Sequence, residues 1–349
     1  MRVHITDLLP EEICEALGLK VYQSRQLFRW IHAKQVFDLD AMTDLSKRVR
    51  EDLQSRVLLP QIRPINVSTS KEKGEATRKY LFGLADGETV EAVAIPERER
   101  LTLCLSSQAG CALNCAFCAT GQAGFRRNLS AGEIIEQALH LLRDKNMGDR
   151  TPNIVFMGMG EPFRNYDGVA KAIRMFMRKD GLNTGARKIT VSTVGDVPGI
   201  ERFADEKWQV RLSISLHAAN DALRSKLVPL NRTYPLERLL EAARGYCQKT
   251  GRQLTFEWAL IRGVNDSVRD ARELAALMRG LKAVVNLIPY NRVEGLPYEP
   301  SPPETCRAFQ SALESAGIKA TLRRERGGDI DAACGQLRAR QASTAHERG

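Results

Sequence analysis

Cys111, Cys115 and Cys118 fall within the stretch "GCALNCAFCATG" (Gly110–Gly121), a C-x3-C-x2-C spacing that puts three thiols on one loop. Thiolates this close together suit a soft metal, and three chemistries compete for them. A structural zinc wants four ligands, so His217 or a further cysteine would have to complete the set. A redox pair would use Cys115 and Cys118 and leave Cys111 idle. A four-iron cluster normally takes four cysteines; with three, one iron stays open to a substrate or cofactor.

The elements that must position this loop read as a β/α alternation. The expected strands are "LTLCLSS" (101–107), "NIVFMG" (153–158), "KITVST" (188–193), "VRLSISLH" (210–217), "LTFEWALI" (254–261) and "VVNLIP" (284–289). Between the first two, "SAGEIIEQALHLLRDK" opens on a capping-box pattern, Ser130 with Glu133, and carries Ile134, Ile135, Ala138, Leu139 and Leu142 at helical spacing. Six strands joined by crossovers imply a parallel sheet, either open or closed into an incomplete barrel. Polar residues gather where these strands end: Gly160-Glu161-Pro162, Ser192-Thr193, Ser215 and His217, Tyr290-Asn291. Singly, each is an ordinary strand end or turn. Together at the C-terminal rim of a β/α sheet they are expected to converge on one cleft.

Ahead of the alternation, residues 1 to about 60 read as helical, with Leu27, Phe28 and Ile31 on one face and Leu45, Val49 and Leu53 on another. "KYLFGLADGETVEAVAIP" is two apolar runs around Asp86-Gly87, a hairpin signal. A chain of 349 residues, 43% hydrophobic, can bury one large core or two unequal ones. The N-terminal stretch mixes acids and bases among apolar residues, which excludes a signal-peptide core, and no apolar run is long enough to span a bilayer. The expected location is the cytoplasm, where eight cysteines favour metal or catalytic roles over structural disulfides. A net charge of +10 is compatible with a polyanionic partner, and equally with solubility alone.

The cysteine loop resembles that of the radical S-adenosylmethionine (SAM) enzymes, with Phe117 as the aromatic before the last cysteine. The likeness extends through "CLSSQAGCALNCAFCATGQAGFRRNLSAGEI", "MGMGEP", "VSTVG", "SLHAAND", "NLIPYN" and "RGGDIDAACGQL" to the RlmN group of RNA methyltransferases, from about Tyr22 to Leu337. The resemblance implies an α/β fold, a partial (β/α)6 radical SAM barrel with a small helical N-terminal accessory domain. It implies a [4Fe–4S] cluster on Cys111, Cys115 and Cys118, SAM chelating the open iron, and methylation of adenosine C2 in 23S rRNA and, in many bacteria, in the tRNA anticodon loop. That carbon has no nucleophilic lone pair, so a radical route, supplied by the cofactor, is needed.

Carried over residue by residue, the resemblance makes Cys334 the thiol that is first methylated by one SAM. A radical from a second SAM takes hydrogen from that methyl group, and the resulting methylene radical adds to C2. The covalent adduct is then resolved by removal of the C2 proton, with Glu91 as acceptor, and by a disulfide between Cys104 and Cys334. Gly160 and Glu161 are expected at the SAM amino group; Ser192, the Ser215–Leu216–His217 segment and Asn291 at its ribose, carboxylate and adenine. Read from the residues alone, Cys104 is a small strand hydrophobe and Glu91 a strand carboxylate, whereas Cys334, flanked by Gly327, Gly328 and Gly335, sits in backbone typical of a functional loop. Cys14, Cys247 and Cys306 match nothing and are read as structural.

The expected organisation is a helical RNA-binding domain over 1–60, a β-hairpin linker over 61–98, the barrel over 99–337 and a frayed tail over 338–349. Expected partners are 23S rRNA, tRNA and an electron donor such as flavodoxin with its reductase, acting on a monomer away from any membrane. Arg25, Arg29, Arg126, Arg127, Arg323, Arg324 and Arg326 are the candidate phosphate contacts. Two alternatives stand beside this reading: a Cfr-like adenine C8 methyltransferase with the same paired cysteines, and a non-catalytic RNA-binding protein whose cysteines hold zinc.

Overall fold

A computed structural model describes residues 2–72, 74–147, 150–323 and 326–338. All six expected strands form: Arg100–Cys104, Asn153–Phe156, Ile189–Thr193, Arg211–Ser215, Leu254–Leu260 and Ala283–Pro289. Each pairs in parallel with the next in chain order, as right-handed crossover units do. Such strands are covered on both faces, which is why Leu254–Leu260 is buried almost throughout. The crossover helices have the apolar faces that this covering needs. In Ala131–Leu142 the expected capping box closes, Glu133 N donating to Ser130 Oγ (3.1 Å) and Ser130 N to Glu133 Oε2 (2.9 Å).

The sheet is larger than six strands, in both directions. Ala320–Leu322 adds a seventh parallel strand beside Ala283–Pro289, through Val285 opposite Ala320. Three residues are too few to show a period, so this strand left no pattern in the sequence. At the other edge the Asp86-Gly87 hairpin forms as Arg78–Gly83 and Thr89–Glu97, and a third strand, Arg63–Thr69, precedes it. All three are antiparallel and continue the barrel sheet through the pairing of Thr89–Glu97 with Arg100–Cys104, giving ten strands in one sheet.

Helices Pro10–Leu17, Val21–His32 and Lys47–Arg56 precede the sheet. Leu27, Phe28, Ile31 and Leu53 are fully buried, and the apolar core runs without a break from them into the barrel. Polar contacts fix the junction. Glu136 on the first crossover helix accepts hydrogen bonds from the Thr6 hydroxyl, Gln61 N (2.7 Å) and Ile62 N (2.8 Å). Gly132 N donates to Asp7 Oδ1 (2.6 Å).

Burial outweighs these hydrogen bonds at Glu136 and pushes its carboxyl up from an ordinary value of 4.5 to about 7. Between those values the folded chain holds a proton that the unfolded chain has released. The stability contributed by this group is therefore full below pH 4.5 and is lost as pH rises through 7. Each pKa unit is worth about 1.4 kcal/mol, so the expected loss is on the order of a few kcal/mol. Thermal melts of wild type and Glu136→Gln across pH 5–8 check this: the wild-type curve should fall relative to the variant, and parallel curves would contradict it.

Candidate active site

The cysteine loop is closed at its base by two short antiparallel strands, Gln108–Gly110 and Phe125–Asn128. Gly110 has φ +76° and its missing Cβ would lie 1.9 Å from Gly124 O, so only glycine lets the two ends meet. Cys111 N donates to Gly124 O (2.9 Å) and Cys118 N to Cys115 O (3.1 Å). The C-terminal segment is fastened onto the end of this loop: Ala119 N donates to Gly335 O (2.8 Å) and the Thr120 hydroxyl to Leu337 O. Residues over 200 positions apart are thereby joined at one spot.

An open cavity of about 1010 Å³ lies inside the barrel mouth. Cys111, Cys115 and Cys118 line one side, and Gly160, Glu161 and Ser192 another. Ser215, His217 and Asn291 reach it from later strands, and Cys334 from the C-terminal segment. Leu216 does not: it is fully buried, its N–H donating to Glu257 O (3.0 Å) and its carbonyl accepting from Arg224 Nε (3.1 Å). Strand alternation is the reason, since its two neighbours take the inward face.

A second open cavity, about 1410 Å³, adjoins the first. The two share Met157, Glu257, Ile288, Pro289, Asn291 and Cys334, so Cys334 faces both; Cys104 lines only the second. Asn291 Nδ2 donates to Cys334 O (3.1 Å), fixing the backbone at this wall. Glu91 borders neither cavity. It is buried, paired with Lys79 Nζ (3.1 Å), and accepts from Arg338 N (2.9 Å) through Oε2. Arg338, the first residue of the expected frayed tail, is thus anchored, while 339–349 lie outside the described residues.

Burial raises the Cys111 thiol to about 12 and holds Cys115 well above its ordinary value, the neighbouring thiols adding to the effect at Cys115. Crowded thiols that resist ionisation in this way become thiolates readily only when a cation shares their charge. Among the described residues no three His, Cys, Asp or Glu side chains are arranged to hold one metal ion. The three loop thiols line one cavity, and a four-iron cluster held by three cysteines keeps one iron open to a cofactor.

The polar wall is built by buried groups. Glu161 accepts from Val194 N (2.9 Å) and Phe163 N (3.2 Å), yet burial lifts its carboxyl to about 7, a site poised to gain from a cationic ligand. Gly160 before it has φ +98°, and a Cβ there would lie 2.6 Å from Gln108 Cβ. His217 sits in the left-handed region at φ +61°; its Nδ1 accepts from Ala259 N (3.0 Å), and burial lowers its pKa to about 3. A neutral ring with Nδ1 occupied carries its proton on Nε2, which makes it a donor and not a metal ligand.

Sequence reasoning missed Arg224 and Glu257. Arg224 is 1% exposed and donates to Leu216 O, Val194 O (2.5 Å) and Asn231 Oδ1 (2.8 Å), binding the rims of neighbouring strands. Glu257 is buried in the wall between the cavities, accepting from Asn286 Nδ2 (3.1 Å). Neither stands at a strand end or in a close cluster of like residues, the two signals available in the sequence. Of the basic candidates, Arg25, Arg29, Arg126 and Arg323 are exposed, while Arg127 is engaged by Glu133 (2.8 Å) and Asp86, and Arg326 pairs with Glu97 (3.5 Å). Arg324 lies outside the described residues. The Cys14, Cys247 and Cys306 thiols each donate to a backbone carbonyl.

Comparison with known proteins accounts for both parts of the chain. Residues 105–275 match the radical SAM superfamily, and residues 9–59 match the ribosomal RNA large subunit methyltransferase N-terminal domain. The probable dual-specificity RNA methyltransferase RlmN of Moorella thermoacetica is 49% identical over 97% of both chains. The dual-specificity RNA methyltransferase RlmN of Syntrophobacter fumaroxidans is 44% identical over 94% of both. A crystal structure of a radical SAM methyltransferase from Sphaerobacter thermophilus superposes with a TM-score of 0.92 at 47% identity, covering 97% of this chain and 100% of the other. The chain therefore belongs to the RlmN family of radical SAM RNA methyltransferases, enzymes that work with a [4Fe–4S] cluster and S-adenosylmethionine.

Proposed function

We propose that the chain methylates C2 of an adenosine in the peptidyl transferase centre of 23S rRNA and of adenosine 37 in the tRNA anticodon loop, and that the carbon travels through Cys334. The observation that carries this reading is the position of Cys334 in the wall shared by two cavities, with Cys104 in the second and the three loop cysteines in the first. A thiol so placed can receive a methyl group from one side and present it to a base on the other.

Cys111, Cys115 and Cys118 would hold the cluster, which when bound would supply the electron that cleaves SAM to methionine and a hydrogen-abstracting radical. Gly160 and Glu161 receive the SAM ammonium, Glu161 gaining the counter-charge its burial calls for. Ser192, Ser215, His217 and Asn291 fix the remainder, the imidazole by donating from Nε2, and the backbone of Leu216 by holding Ser215 and His217 in register. Cys334 carries the methyl and then the methylene to C2; the adduct then gives up one electron, which would return to the oxidised cluster, and its C2 proton, which Glu91 takes. The Cys104 thiolate next attacks the Cys334 sulfur: a sulfur–sulfur bond forms, the sulfur–carbon bond breaks, and the released carbon takes a proton to become the new methyl group. One SAM gives its methyl group to Cys334 and a second is the source of the radical, so two are consumed per methylation.

Relatives named dual-specificity RNA methyltransferase RlmN support RNA as the substrate and more than one kind of target. No helix among the described residues is long and apolar enough to cross a membrane. The reading places a monomer in the cytoplasm, supplied with electrons by a flavodoxin-type donor. Nucleoside mass spectrometry of 23S rRNA and tRNA after incubation with the reconstituted enzyme, SAM and reductant tests it. 2-Methyladenosine in both RNAs is the expected result; 8-methyladenosine in its place would overturn the assignment.

A further inference from the structure

The strand pairing puts three reactive groups on one face of the sheet. Lys79 lies opposite Val93, and Val93 lies opposite Cys104, so these three residues form a row across three antiparallel strands. Residues directly opposite share a face, and so do residues two apart along a strand. Glu91, two before Val93, therefore faces the same way as Lys79 and Cys104. Lys79 Nζ reaches Glu91 Oε1 at 3.1 Å, with the two side chains 14% and 6% exposed. The same ammonium donates to the carbonyl of Asp331 at 3.2 Å, three residues before Cys334. On the far side of Cys334, Arg338 N donates to Glu91 Oε2 at 2.9 Å. Glu91 is thus fixed through both oxygens, and the segment carrying Cys334 is held over it at both ends.

We propose that Lys79 is a positioning residue for proton removal: its ammonium aims the Glu91 carboxylate and ties it to the segment that presents the Cys334-bound adduct. The inference rests on the covalent reading given above and deepens it. In the adduct C2 carries both its hydrogen and the Cys334 methylene carbon. The radical addition leaves one unpaired electron in this adduct; that electron would return to the oxidised iron–sulfur cluster, the C2–H bond breaks with its proton going to Glu91, and its electron pair stays in the ring, restoring aromaticity. The acceptor must sit within hydrogen-bond reach of C2–H at that moment. A carboxylate on a strand cannot follow a moving adduct, so its aim must be shared with the segment that bears the adduct. One lysine touching both provides that coupling, and arginine could replace its charge and reach.

The ion pair could also be a purely structural clamp, and three readouts separate the roles. The full-length enzyme, reconstituted with cluster and SAM, is given 23S rRNA under single turnover. Methylation of Cys334 is read by peptide mass, the protein–RNA adduct on a denaturing gel, and 2-methyladenosine by nucleoside mass spectrometry. Lys79→Met should methylate Cys334 as wild type does and form the adduct, but resolve it on the order of 10- to 100-fold more slowly, so that adduct accumulates. Deuterium at C2 should slow resolution further in Lys79→Met than in wild type, and Lys79→Arg should restore most of the rate. Resolution of the adduct by Lys79→Met at the wild-type rate would overturn the proposal. So would a fall in Cys334 methylation matching the fall in product, the mark of a structural clamp. Cys104→Ala serves as the control: if it accumulates no adduct, the covalent reading itself fails and the role of Lys79 falls with it.

Discussion

Cys334→Ala is expected to purify with its iron and brown colour intact and to transfer no methyl group to RNA, while Cys118→Ala loses cluster and activity together. The two thiols line one cavity, so the difference lies in what else depends on each. On the proposed reading Cys118 is one of three loop thiols that each hold an iron, so its removal takes a ligand from the cluster. Cys334 is exposed to the cavity, and the contacts around it, Asn291 Nδ2 to its carbonyl and Ala119 N to Gly335 O, are to the backbone. Alanine keeps that backbone in place, so stability should change within about 0.5 kcal/mol. On the proposed mechanism what is lost is the sulfur that carries the carbon, so the rate should fall by more than about three orders of magnitude, as when a covalent intermediate is removed. Iron content, visible absorption and nucleoside mass spectrometry on the same preparation decide the matter. RNA methylation by Cys334→Ala would show that the carbon does not pass through the protein.

The cysteine loop stands out because its information is local: three cysteines at close spacing between two glycines mark a thiol site, although the spacing alone leaves zinc, a redox pair and a cluster open, and the resemblance to a family is what selects the cluster. The six barrel strands were legible for a related reason, each being an apolar run of four to seven residues between turn signals. Ala320–Leu322 was not, because a three-residue strand is defined by its partner, Ala283–Pro289, and not by its own pattern. The same distinction holds within the site. Ser192, Ser215 and Asn291 stand at strand ends, where the fold class alone places them near a ligand. Leu216 lies among them in the chain, yet alternation turns it into the core. Glu91 and Arg338 are 247 residues apart and meet only in the folded chain. The lysine that holds Glu91, the arginine that ties the strand rims and the carboxylate between the cavities all act through such non-local contacts. Their residue types are common, and only position distinguishes them.

Cys104→Ala should leave the enzyme covalently attached to its RNA. Cys104 ends the first barrel strand, 9% exposed, at the edge of the second cavity and on the same sheet face as Glu91. Burial, and then the nearby Cys334 sulfur, push its thiol above the ordinary range. Cys104 lines only the second cavity, apart from the loop cysteines of the first, so it is not placed to compete with Cys334 for the methyl group of SAM. On the proposed mechanism it acts once the adduct has formed, when its attack on the Cys334 sulfur frees the carbon. Without it the earlier steps should run at wild-type rates, Cys334 becoming methylated and the adduct forming, and turnover should stop at about one event per enzyme. Serine should not rescue the variant, because an alkoxide cannot make the sulfur–sulfur bond. Denaturing gels with labelled RNA provide the measurement: Cys104→Ala should show a persistent protein–RNA band, absent from Cys334→Ala and from the Cys104→Ala, Cys334→Ala double variant. Multiple turnovers by Cys104→Ala would mean that another thiol resolves the adduct. Among the described residues the remaining cysteines either belong to the cluster loop or donate to backbone carbonyls elsewhere in the fold, so the geometry names no substitute.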